Sequence, residues 1–195
     1  MGKTSLLTFE LLTLKEYAKE AKFILEVGTG DSTKFLSEAA AEVGAEMISI
    51  DLLDDRLKEP FSNVKYLHGW SVAQSDMIMH DNPLFVPSRY ADVPDEAIAF
   101  GKKEILDPCD LIRKACDGKQ LDFYFGDSGE YCGLAEWNII KDLLVVGGFI
   151  ALHDIHYPKS SKNFQVWNAL RKSDDWHIHM KTASRAGFMI AQKII

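Results

Sequence analysis

Phe23-Ile24-Leu25-Glu26-Val27-Gly28-Thr29-Gly30-Asp31-Ser32-Thr33 is the segment from which the architecture of this chain can be read. Its first five residues form a short, mostly apolar run ended by glycine, the pattern of a buried strand. Gly28 and Gly30 allow a tight turn and a close backbone approach to a ligand. Asp31 or Ser32 then serves as the N-cap of a helix over 31–43, with Phe35, Leu36, Ala39, Ala40 and Val43 as its apolar stripe. Gly44 closes that helix in the C′ position. Strand, glycine turn and helix together make the opening unit of an α/β sheet.

Outward from this unit the pattern repeats. An amphipathic helix precedes it over 5–21. Buried strands are predicted at 47–51, 64–67, 121–127 and 149–154, and helices at 71–80, 108–117, 133–145 and 162–173. Gly147-Gly148 is read as the stop of the 133–145 helix, and Pro108 suits a first helical turn. Two strands at 176–182 and 186–193 close the chain, joined by Ala183-Ser184-Arg185. Alternating strands and helices require a parallel sheet covered on both faces. Two successive strands with no helix between them must run antiparallel. The expected fold is a doubly wound, mostly parallel α/β sheet with a closing antiparallel pair. It forms one domain over 1–195, with an insertion at about 80–107 marked by Pro83, Pro87 and Pro94. That insertion is the candidate substrate lid.

Composition narrows the function. The 195 residues carry 29 acidic and 22 basic side chains, a net charge of −7. This balance disfavours phosphate-backbone binding and anionic membrane surfaces. No uninterrupted apolar run reaches the roughly 18 residues of a membrane span. Glu10, Lys15, Glu16, Lys19 and Glu20 interrupt the N-terminal segment where a signal peptide would be apolar, and Leu6 breaks a myristoylation motif. Cys109, Cys116 and Cys132 have no zinc-site or disulfide spacing, so the expectation is three reduced thiols in a cytoplasmic protein.

In open α/β sheets, ligands bind beyond the carboxyl ends of the strands. The residues there are Glu26 through Thr33, then Asp51, then His68-Gly69-Trp70-Ser71, then Gly126-Asp127-Ser128-Gly129, then His153-Asp154-Ile155-His156-Tyr157. A dinucleotide fingerprint would place a third glycine where Thr33 stands. Glu26 and Asp31 add negative charge beside the turn, which disfavours a pyrophosphate and suits a ligand with amine and sulfonium cations. Asp51 ends its strand about twenty residues after the turn, where a carboxylate can accept both hydroxyls of a ribose.

The succession Glu26-x-Gly28-x-Gly30-x-Ser32-Thr33, Asp51, Gly69-x-Ser71, Asp127 and Gly147-Gly148 before His153-Asp154 resembles the class I S-adenosylmethionine-dependent methyltransferases. It is most similar to the branch of small-molecule O-methyltransferases and cephalosporin-hydroxylase-like proteins, over roughly residues 20–193. The resemblance implies a seven-stranded Rossmann-like methyltransferase fold, S-adenosylmethionine as cofactor, and a small-molecule methyl acceptor, with the methyl going to a hydroxyl oxygen. It implies that Glu26, Gly28 and Gly30 line the methionine part, with Ser32 and Thr33 nearby. Asp51 would hold the ribose, and Gly69, Trp70 and Ser71 would flank the adenine. Asp127 and Asp154 match the positions that bind magnesium in metal-dependent members, so Asp127 belongs with both cofactor and metal. His153 beside Asp154 would suit zinc, iron or manganese better; in the alternative, Asp127 and Asp154 are cofactor-loop or general-base carboxylates with no metal.

His156, on the loop past the strand, is the candidate base for the acceptor hydroxyl, with Asp154 as its catalytic companion. Tyr131 and Tyr157 could border a substrate. Trp137 and Trp167 are read as core, and Glu130 and Glu136 as solvated. A homodimer could use the apolar residues of the first helix and the insertion. Two other readings are a catalytically inactive binding protein of the same fold and an NAD-dependent dehydrogenase.

Overall fold

The computed structural model describes residues 6–52, 61–77, 83, 109–129 and 131–195. The elements are α1 (Thr8–Ala18), β1 (Phe23–Val27), α2 (Asp31–Val43), β2 (Glu46–Asp51), β3 (Val64–His68), α3 (Leu111–Cys116), β4 (Leu121–Gly126), α4 (Gly133–Leu143), β5 (Leu144–His153), α5 (Phe164–Leu170), β6 (Trp176–Thr182) and β7 (Phe188–Lys193). They build one seven-stranded sheet in the order β3-β2-β1-β4-β5-β7-β6. The first five strands are parallel and β7 runs antiparallel to both β5 and β6, as the alternation of elements requires.

Strand alternation sorts the core into two layers. Ile24, Met47, Phe123, Phe125 and Ala151 face α1 and α2, meeting Leu14, Leu36, Ala39 and Ala40. Leu25, Val27, Ile48, Ile50, Ile150 and Leu152 face α3, α4 and α5, meeting Ile112, Trp137, Ile140 and Val166. Trp137 is core, as expected, while Trp167 is partly buried against it. Val43, expected in the apolar stripe of α2, is 45% exposed at its last turn. Phe9 and Leu12 are exposed on α1. Glu10 of α1 is buried and binds across to the β6–β7 connection, accepting the hydroxyls of Thr182 and Ser184 at 2.6 Å each.

Several boundaries differ from those predicted. The N-cap of α2 is Gly30; Asp31 already lies in the first turn. Gly44 closes the helix in the left-handed region, φ 71°, as expected. Gly147-Gly148 does not stop a helix. The chain leaves α4 at Leu144 and both glycines lie inside β5. β-Strand pairing of Leu144 with Leu121 explains the early start, and the ladder is irregular between Leu121 and Phe123. Of the helix expected at 71–80, the described residues form only a 3-10 turn at Gln74–Asp76. The insertion at about 80–107, apart from Pro83, lies outside the described residues, as does Glu130. Among the described residues, no helix is long and apolar enough to cross a membrane.

Candidate active site at the β1–β4 switch

Neighbouring strands β1 and β4 are where the strand order reverses direction, and their carboxyl ends open the crevice in which such sheets bind ligands. Three chain segments meet there. The N–H of Asp127 donates to Val27 O at 2.9 Å, and that of Gly28 donates to Ile50 O at 2.9 Å. Gly28 has φ +96°, and a Cβ on it would stand 2.5 Å from the carbonyl oxygen of Asp127. Glycine is therefore required by both torsion and space.

Period-2 alternation turns Glu26 to the same face as Ile24, toward the first turn of α2. Its side chain is fully buried. Ser32 Oγ donates to Oε1 at 2.7 Å, while Thr33 Oγ1 and Ser49 Oγ donate to Oε2 at 2.7 and 2.6 Å. Thr33 Oγ1 in turn accepts the Gly30 N–H at 2.9 Å. The side chains assigned to the methionine region thus bind one another and set the shape of the turn. Burial pushes the Glu26 carboxyl up to about 7 against the lowering effect of the three hydroxyls.

A carboxyl whose folded-state value exceeds its unfolded one stabilises most at low pH and loses that contribution as pH rises, here across the window from 4.5 to about 7. The full loss is up to about 3 kcal/mol. Glu26→Gln has no such charge to bury. The melting temperature of this variant relative to wild type is expected to rise between pH 5 and pH 8.5, as measured by thermal unfolding. A pH-independent difference would show that Glu26 does not titrate in that window.

Asp51, at the carboxyl end of β2, is buried, and its Oδ2 accepts the Thr29 N–H at 2.7 Å. The glycine turn and this carboxylate are therefore one rigid unit. Thr29 Oγ1 also pairs with Ser49 Oγ at 3.0 Å. After β3, the Gly69 N–H donates to Asp51 O at 3.0 Å. Trp70 is 2% exposed within the α3–α5 core layer, so it presents almost no surface on which an adenine could stack. Ser71 is buried and its hydroxyl donates to Glu136.

Glu136 corrects an expectation. It is not solvated but 1% exposed, and besides Ser71 it accepts Tyr124 Oη at 2.8 Å and Ser128 Oγ at 2.7 Å. Burial raises its carboxyl above the usual range. One helical turn separates it from buried Ile140, so its position on the inward stripe of α4 was visible in the periodicity. Tyr131 is fully buried and Tyr157 half-exposed.

Beside the glycine turn, β4 and β5 end in a second cluster. Ligand atoms of Asp127, His153 and Asp154 lie within 4.8 Å of one another. His153 Nδ1 is 3.3 Å from Asp127 Oδ1 and 3.2 Å from Asp154 Oδ1. Burial opposes charge on His153, but the bond and charge of Asp127 and the charge of Asp154 outweigh it and raise its value. Asp154 adopts φ 59°, a left-handed conformation uncommon for a non-glycine residue. Its N–H donates to Gly187 O at 2.9 Å and its carbonyl accepts the Asn163 N–H at 3.3 Å. His156 is not part of this cluster; its ring packs where a Cβ on Gly187 would stand, 2.8 Å from Nδ1. Burial, with Lys181 and Lys159 nearby, lowers its value below the usual 6.5.

Sequence reading missed the fourth member. Lys162 Nζ lies 3.1 Å from Asp127 Oδ1 and 3.1 Å from Asp154 Oδ2. Asn163, the N-cap of α5, positions it by donating from Nδ2 to Gly126 O at 3.2 Å and His153 O at 2.7 Å, clamping the ends of β4 and β5 together. A run of Ser160-Ser161-Lys162-Asn163 reads in sequence as a helix start, and nothing local says that it returns to the strand ends. The carboxylates hold Lys162 charged above the ordinary lysine value despite its burial, and Lys162 and His153 hold Asp127 well below the carboxylate range, again against burial.

A divalent ion fits this donor set poorly. Two carboxylates and an imidazole are suitable ligands, but the same oxygens already hold an ammonium. An ammonium on the same oxygens would repel a dication, since like charges a few ångströms apart cost several kcal/mol even at an effective dielectric constant of about 20. The ion could enter only by displacing the lysine.

No protein-family model matches the chain, and no curated protein does. Solved structures do match. An O-methyltransferase from Bacillus cereus in complex with S-adenosylhomocysteine superposes with a TM-score of 0.60 at 13% identity, covering 96% of this chain and 82% of that one. TomG from Streptomyces achromogenes, an O-methyltransferase involved in tomaymycin synthesis and solved with S-adenosylmethionine, gives 0.60 at 14%, covering 97% and 82%. The fold is that of the O-methyltransferases. The Podospora anserina methyltransferase PaMTH1, bound to S-adenosylhomocysteine, gives 0.57 at 12%, covering 98% and 81%. Within the methyltransferase fold, the glycine turn and Asp51 stand at one side of the switch point, and the Asp127–His153–Asp154–Lys162 cluster stands at the other.

Proposed function

We propose that this protein transfers a methyl group from S-adenosylmethionine to a hydroxyl oxygen of a small molecule. The observation that carries this reading is Asp51, a buried carboxylate at the end of β2 bound to the Thr29 N–H of the glycine turn at 2.7 Å. That joins a ribose acceptor to the turn over which the methionine part would lie. The same turn argues against a dinucleotide, because Thr33 occupies the Gly30 N–H that a pyrophosphate would seek, and Glu26 is buried beneath it.

In this reading, the amino-acid part of the cofactor lies across Gly28 and Gly30, shaped by Glu26, Ser32 and Thr33. The turn at Gly69, Trp70 and Ser71 bounds the adenine side. Asp127, His153, Asp154 and Lys162, at the ends of β4 and β5, would meet the acceptor, and the cofactor would supply the methyl group as a sulfonium. The reaction is an in-line displacement in which the acceptor oxygen bonds to the methyl carbon as the carbon–sulfur bond breaks. The protein contributes alignment and exclusion of water.

For the base that takes the hydroxyl proton this reading keeps His156, on the loop past β5 and outside the four-residue cluster, which the acceptor would have to reach from that loop; burial, with Lys181 and Lys159 nearby, disfavours its charged form. A neutral base predicts that kcat rises with pH through a value below 6.5, and that His156→Gln lowers kcat and abolishes that limb. A pH profile unchanged by His156→Gln would remove His156 from the mechanism. A divalent ion is the other cation that Asp127, His153 and Asp154 could hold, and Lys162 is what it would have to displace.

The first test is calorimetry with S-adenosylmethionine and S-adenosylhomocysteine. Both are expected to bind, and the absence of heat with either compound would overturn this reading.

A further inference from the structure

We propose that the ammonium of Lys162 occupies the cation position between Asp127 and Asp154, so that this chain activates its acceptor without a divalent metal. Removing the ammonium should turn the same cluster into a divalent-cation site. The catalytic half of this inference rests on the methyl-transfer reading; the cation-binding half does not.

Geometry carries it. Nζ lies 3.1 Å from one oxygen of each carboxylate, a bridging position. The side chain is not a surface lysine that has swung inward, since it is 22% exposed and Asp127 and Asp154 are 19% and 16% exposed. Its backbone is held on two sides. The first residue of α4, Gly133, approaches so closely that a Cβ there would stand 2.2 Å from Lys162 O. Asn163, the next residue, is bonded to the ends of both β4 and β5. With an ammonium between them, and His153 Nδ1 paired with Asp127 and 3.2 Å from Asp154, the carboxylates receive their positive charge from the chain itself.

Chemically, an ammonium has three N–H donors. Two account for Asp127 and Asp154, and the third is the donor that an acceptor oxygen would meet. It would stabilise the negative charge that grows on that oxygen as its proton leaves, the service that a metal ion gives as a Lewis acid. Unlike a metal, a lysine does not dissociate and cannot be chelated.

The experiment is a manganese titration without cofactor or acceptor, followed by electron paramagnetic resonance of free Mn(II). It compares wild type, Lys162→Ala and Lys162→Ala/Asp127→Asn, with circular dichroism confirming the fold of each. Lys162→Ala is expected to bind Mn(II) at least tenfold more tightly than wild type, and the added Asp127→Asn is expected to abolish the gain. Lys162→Gln keeps much of the stem and offers amide donors to the carboxylates, so it answers the same question if Lys162→Ala does not fold. Wild type binding Mn(II) as tightly as the variants would overturn the proposal, as would folded variants with no gain. Turnover by wild type is further expected to be unchanged by EDTA. Failure of cofactor calorimetry would sink the methyl-transfer reading and leave the manganese result standing, so the two failures are distinguishable.

Discussion

Asp51→Ala is expected to weaken S-adenosylmethionine binding by about 100-fold or more. A hydrogen bond to a charged acceptor contributes roughly 1.5–3 kcal/mol. A carboxylate that takes both ribose hydroxyls loses two such bonds on truncation, and each 1.4 kcal/mol is tenfold in affinity. Asp51 is buried and held by the Thr29 N–H, so it is already oriented and loses little entropy on binding. Asp51→Asn keeps an oxygen for Thr29 but cannot accept on both sides, and is expected to fall between alanine and wild type. Calorimetry measures the affinities, and thermal unfolding separates them from a stability loss of about 1.5–3 kcal/mol for the Thr29 bond to the carboxylate. Unchanged affinity in Asp51→Ala would place the ribose elsewhere.

The second large effect is on stability. Gly28→Ala is expected to destabilise the protein by about 2–5 kcal/mol. A side chain at φ +96° costs roughly 1–2 kcal/mol in left-handed backbone, and forcing atoms into a packed site costs about 1–3 more. The obstruction is backbone, the carbonyl of Asp127 at 2.5 Å, which no rotamer change can move aside. Relief requires β1 and β4 to part at the point where the glycine turn meets the acidic cluster. Denaturant unfolding should show a lower midpoint, with cofactor binding reduced beyond what instability explains. Gly30→Ala is the control. A Cβ there meets nothing within 4 Å, so its cost should be about 1 kcal/mol or less. Equal effects at the two glycines would mean that close approach to Asp127 is not what Gly28 serves.

The two glycines show how far local reading extends. Both were visible as a turn that admits a ligand, but which of them is sterically obligatory depends on Asp127, a hundred residues away. Glu26 is similar. Its place at the end of a buried strand was legible, and its period-2 face was implied by Ile24. What it binds, Ser32, Thr33 and Ser49, follows only when α2 and β2 pack against β1. Glu136 reads as solvated when its charge is set above its helical position, although its spacing from Ile140 marks the inward face. Gly147-Gly148 misled for the opposite reason. Local propensity favours a break there, and pairing of β5 with β4 overrides it.

From its sequence alone, this chain determines the order and type of nearly all of its described elements, the parallel sheet, and the closing antiparallel pair. Hydrophobic period and glycine placement are local properties, and they repeat too regularly to allow another architecture. The same reading places Asp51, Asp127, His153 and Asp154 at strand ends, because strand ends can be counted. Tertiary structure alone decided that Lys162 stands between two of those carboxylates. The lysine lies 35 residues from Asp127 in the chain, in a loop whose path is set by Asn163 bonding two strand ends and by Gly133 leaving room for its backbone. Charge in a buried cluster is balanced by whatever the fold brings within about 3 Å, and no periodicity carries that information.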